Sequence, residues 1–176
     1  MARGAAPQRD GIPADRLAPA VLAAANINPV TRLATDYLNH FNTIVMLLDM
    51  IPDMPECAEE IAAWAPLSYP AYFAQAHFRE RELAVAAYHA APEGVREDFD
   101  AVVGELDAAM GDAQRLLAEG DAADPRTVEA LHVLVSLRLK PLISKASGIV
   151  NGAGPSEADD IFIEADAQDT IDELFH

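Results

Sequence analysis

Five side chains carry the chemistry to hold a transition metal ion, provided that a fold gathers them. They are Asp36, His40, His77, Glu80 and His132. Carboxylate and imidazole donors suit such ions, and helical bundles build sites by projecting them inward from facing helices. Asp36 stands one helical turn before His40, and His77 one turn before Glu80. His40 falls on an apolar stripe, Glu80 lies near the middle of one, and His77 and His132 border one. The same groups have a plainer use as hydrogen-bonded polar groups of the core, His40 with Tyr37 or Glu80 for example. Arg138 is the cation that would neutralise Glu80 if their helices adjoin.

These side chains need long helices to position them, and the apolar spacing predicts four. Asn28-Pro29 reads as an N-cap followed by proline at the first helical position, so the first helix is expected over 29–50. Leu33, Tyr37, His40, Ile44, Leu47 and Ile51 make one stripe, and Ala34, Leu38, Phe41, Val45 and Leu48 a second beside it. Two adjacent stripes mean a wide buried face. A short helix is expected within 55–64, with Trp64 as a packing residue. Ser68 should cap a second long helix running to about Ala90. The third is expected over 95–118. Phe99, Val102, Val103, Leu106, Met110, Ala113 and Leu117 form its apolar side, with Asp100, Glu105, Asp107 and Asp112 opposite. Asp124-Pro125 should start the fourth, which Asn151-Gly152 ends and Pro141 should bend. Leu134 and Leu137 are apolar off its inward face, which leaves room for a homodimer contact. The expected fold is all-α: an up-down four-helix bundle over 29–151, with a loosely structured leader over 1–28 and a flexible acidic tail over 152–176.

Composition narrows the function. Lys and Arg number 12 against 29 acids, a net charge of −17. That excludes phosphate-backbone binding and anionic membrane surfaces as natural roles. It suits a basic protein partner. The single cysteine, Cys57, cannot form an intramolecular disulfide, and no stretch has membrane-spanning length, so a cytoplasmic protein is expected.

The tail carries the clearest functional pattern. From Glu157 to Phe175 there are eight acids and no Lys or Arg. In Gln168-Asp169-Thr170-Ile171-Asp172-Glu173-Leu174-Phe175, the residues Ile171, Leu174 and Phe175 sit at i, i+3, i+4. One helical turn would put them on one side and Asp169, Asp172 and Glu173 on the other. Such a peptide is suited to a partner's groove and too short to fold alone. It resembles the acidic peptide with which flagellar motor switch proteins bind the phosphorylated chemotaxis response regulator. It is also similar in type to the tethered C-terminal peptide of chemotaxis phosphatases. The resemblance rests on Gln168, Asp169, Ile171, Asp172, Leu174 and Phe175, and implies a non-enzymatic signalling or adaptor protein that docks on a receiver-type partner.

Two further readings use the bundle. Histidine phosphotransfer domains are four-helix bundles with one reactive imidazole, a part open to His40 with Asp36, or to His89. Chemotaxis phosphatases orient water with an acid and an amide from one helix face, groups that Asp36, Asn39 and Asn42 offer. The order His77-x-x-Glu80 differs from the Glu-x-x-His of di-iron bundles.

Overall fold

The computed structural model describes residues 13–77 and 79–153. It is all-helical, with no strand among the described residues. The helices are α1 (Pro19–Ala24), α2 (Asn39–Met50), α3 (Cys57–Ala63), α4 (Tyr69–Gln75), α5 (Arg81–His89), α6 (Glu93–Glu119), α7 (Pro125–Leu134) and α8 (Lys140–Val150). Among the described residues, no helix is long and apolar enough to cross a membrane.

The part of the leader within the described residues joins the core. Pro19 opens α1, and Leu22 and Ile27 are fully buried. The first long helix then starts later than its N-cap pattern predicts. The Asn28 side chain accepts from Val30 N at 2.8 Å and Thr31 N at 3.0 Å. Asn28 N donates to Leu33 O at 2.8 Å, so the chain folds back on itself. Asn26 and Arg32 flank the loop with φ of 60° and 61°, left-handed values that oppose helix propagation. Thr31 Oγ1 donates to Val150 O at 2.6 Å and ties the loop to the end of α8. A tertiary bond here outweighs a local helix signal. The chain enters α2 through a 3₁₀ turn at Thr35–Leu38. Both apolar stripes are nonetheless buried from Leu33 to Ile51, apart from His40, which is half-buried.

The helix expected from Ser68 to Ala90 is in two pieces. Ser68 does cap α4, its Oγ accepting from Ala71 N at 3.3 Å. The chain then turns after Ala76 so that α4 and α5 pack on each other. The reason is aromatic. Tyr69 and Tyr88 stack with ring centroids 4.9 Å apart and planes at 16°. In one continuous helix these residues would stand roughly 28 Å apart along the axis.

The last two long segments follow their punctuation. The α6 helix spans 27 residues and buries Phe99, Val102, Leu106, Ala109, Met110, Ala113 and Leu116. Asp124 caps α7, accepting from Arg126 N at 3.0 Å. Between α7 and α8 the chain widens into a π turn at Val135–Leu139. Pro141 follows directly; its ring has no N–H and would crowd the carbonyl four residues back, and a wider turn relieves that contact. Leu134 is fully buried, not off the core; Leu137 remains 43% exposed. The α8 helix ends in a Schellman motif. Ala153 N donates to Gly148 O, Gly152 N donates to Ile149 O, and Gly152 supplies the φ of 79° that the motif needs.

One polar residue of α6 fixes the connection after α3. Gln114 Nε2 donates to the Ile61 carbonyl at 3.0 Å and the Trp64 carbonyl at 2.8 Å. The first also accepts from Trp64 N at 3.2 Å, and the second lies at the cap just past the helix end. Gln114→Ala is expected to cost about 1–2 kcal/mol in a urea unfolding titration, because it strips two part-buried carbonyls of a donor.

Candidate functional site

The five proposed ligands do not come together. His77 and His132 are exposed, while Asp36, His40 and Glu80 are half-buried. Among the described residues, no three His, Cys, Asp or Glu side chains are grouped so that they could hold a metal ion. Arg138 does not meet Glu80. It donates to Asp112 Oδ2 on α6, because α6 is the helix against which α8 and the π turn pack. Asp112 also pairs with Arg115, so the acid expected on a solvated face holds two guanidinium groups. Asn39, Asn42 and His89 are exposed.

His40 instead enters an aromatic cluster. Its ring stacks on Trp64 with centroids 4.8 Å apart and planes at 29°. Phe41 meets it edge-on at 5.2 Å, and Tyr37 and Tyr72 stand at 6.3 and 6.0 Å. Trp64 Nε1 donates to the His40 carbonyl at 3.3 Å. His40 Nε2 is buried and has no hydrogen-bond partner among the described residues. Burial lowers the imidazole pKa, and a hydrogen bond to the Ala65 backbone opposes that only in part. The imidazole is therefore neutral at pH 7, with one ring nitrogen uncommitted.

Tyr37 sits at the centre of the cluster, fully buried, its hydroxyl donating to Leu67 O at 2.7 Å. Its ring also touches Tyr69, Tyr72 and Phe99, at 5.3, 5.5 and 5.7 Å. Burial, and the nearby carboxylates of Asp107 and Asp100, hold its pKa well above the ordinary tyrosine value. Tyr88 donates to Asp100, at 2.8 Å to one oxygen and 2.9 Å to the other. Burial and that bond push its pKa up to about 12.

Asp107 is the functional candidate that the helix pattern hides. It belongs by register to the polar side of α6, yet its Oδ1 is buried without a partner among the described residues. Burial raises its pKa above the ordinary carboxyl value. The signal available in the sequence was its place in the series Val103, Asp107, Met110, Gln114, which spaces 4-3-4 along the edge of the buried face.

No family model, curated protein or solved structure matches this chain. The terminal peptide, residues 168–175, lies outside the described residues, as do residues 1–12 of the leader and the tail from residue 154.

The site titrates in a way that can be read directly. His40 binds a proton less readily folded than unfolded. Its contribution to stability is complete above the ordinary pKa of 6.5 and is lost as pH falls through the lowered folded value. Trp64 is the single tryptophan of the chain and stacks on this ring, so its fluorescence should report the titration. Emission is expected to change with a midpoint below pH 6.5. In His40→Phe, which keeps an aromatic ring on Trp64, the change should vanish.

Proposed function

We propose that this protein is a non-enzymatic signalling adaptor whose C-terminal acidic peptide docks on a receiver-type response regulator. The observation that carries the reading is the pattern in residues 168–175. Ile171, Leu174 and Phe175 recur at helical spacing among Asp169, Asp172 and Glu173, on a segment with no Lys or Arg. Apolar anchors supply affinity in such a mode, and the acids select a basic surface and speed the encounter. The helical body is then a scaffold, which we take to be arranged as an up-down four-helix bundle in the cytoplasm. Its core keeps most large apolar side chains for itself.

The reading is tested by capture of a chemotaxis-type receiver, with and without acyl-phosphate, on the chain with and without residues 155–176. Retention only by the longer form supports it. Equal retention by both places binding on the helical body and overturns it.

One observation favours a second reading. The uncommitted His40 Nε2, bordered by Trp64, Tyr37 and Tyr72, suits a small hydrogen-bonding ligand. It requires Trp64 emission to respond to such a ligand in the native protein and not in His40→Phe.

A further inference from the structure

The charges of the last helix and of the tail are complementary. Residues 130–156 contain Arg138, Lys140 and Lys145 and no acid, in a chain of net charge −17. The next segment, residues 157–175, contains eight acids and no Lys or Arg. The basic stretch also borders exposed apolar surface. Met46 on α2 is 54% exposed and Leu137 in the π turn 43% exposed. These two elements pack side by side. Asp49 and Lys140 bridge the seam at 2.9 Å, with Lys140 itself 52% exposed. Met46 lies one turn before Asp49, and Leu137 one turn before Lys140, so both flank the bridge. The neighbouring cluster of Arg115 and Arg138 on Asp112 carries one surplus positive charge.

We propose that the acidic terminal segment folds back on this seam, with Ile171, Leu174 and Phe175 against Met46 and Leu137. Asp172, about 100° round the helix from Ile171 and so at the edge of the anchor face, then shares Lys140 with Asp49; an ammonium has three donors and serves more than one carboxylate. The tether permits it. The 17 residues from 154 to 170 reach up to about 55 Å when extended. The α8 helix that they must run back along is roughly 16 Å long. Covalent attachment supplies an effective concentration on the order of 1 mM, enough for a contact too weak to survive between separate molecules. The fold-back stands without any partner. Its consequence rests on the adaptor reading: the anchors that a receiver needs are held until the receiver competes for them.

Met46 reports its own cover. Its thioether is oxidised by peroxide at a rate set by exposure. The rate is measured by mass spectrometry on the full chain, with N-acetylmethionine in the same tube as reference and no partner present. It is compared with the full-length double variant Ile171→Asp/Phe175→Asp. The expected result is oxidation of native Met46 slower by about tenfold, as for a 1 mM tether concentration acting on a dissociation constant of about 0.1 mM. That protection should be equal at low and high protein concentration. Equal rates in the native chain and the variant overturn the proposal. So does protection that the variant keeps and that grows with concentration, which would put a second copy of the chain on the seam. Because no receiver is present, failure here is separate from failure of receiver binding.

Discussion

Phe99→Ala is expected to lower the stability of the folded chain by about 3–5 kcal/mol, read as a drop in the urea midpoint with little change in slope. Phe99 is fully buried on α6. Its ring meets Tyr37 at 5.7 Å and Tyr69 at 5.9 Å, edge-on in the second case. Those two tyrosines come from the turn before α2 and from α4, so one side chain joins three separate parts of the chain. Deleting it removes the transfer free energy of a large ring and leaves a cavity between elements that cannot all close on it. Tyr37 also loses part of the wall that keeps its hydroxyl on Leu67 O. A loss below about 1 kcal/mol would mean that the cluster collapses freely and that these rings do not hold the elements in place.

The second large effect concerns binding. Ile171→Ala together with Phe175→Ala is expected to weaken receiver binding on the order of 100-fold or more, because each truncation forfeits about 1.5–3 kcal/mol of apolar burial. Thermal unfolding should lose no more than about 1.5 kcal/mol, the stabilisation that a tenfold-favoured fold-back lends the folded state, well short of a core deletion. The two readouts separate a docking peptide from a structural one. A stability loss of core size, with binding retained, would make the tail part of the fold.

The two effects also mark how far the sequence was legible. The buried faces of residues 33–51 and of α6 follow from 3-4 spacing, because burial of an apolar stripe is a local property of a helix. The break after Ala76 does not. The apolar pattern resumes at Leu83, Ala84 and Ala87, and the cause of the break, Tyr69 against Tyr88, is a contact between residues 19 apart. Asn28 shows a similar limit. A capping residue before proline is a fair helix signal, but Asn28 makes a turn that Thr31 pins to Val150.

The site was legible only in part. His40 stands out as a titratable group on an apolar stripe. Its stacking partner, Trp64, comes from a connection 24 residues on, and no periodicity relates the two. Asp107 and Asp112 both read as solvated by register, yet one is half-buried with an unpartnered Oδ1 and the other holds two arginines. Asp107 thus carries a pH dependence opposite in sign to that of His40. Its folded pKa is raised, so stability falls as pH rises from the ordinary 3.8 through the folded value.

The most direct measurement is a calorimetric titration of the full chain with a chemotaxis response regulator, in its phosphorylated and unphosphorylated forms. The adaptor reading predicts a saturable one-to-one complex, tighter with the phosphorylated form and lost in Ile171→Ala/Phe175→Ala. No heat with either form, or an affinity that the double variant leaves unchanged, would contradict it.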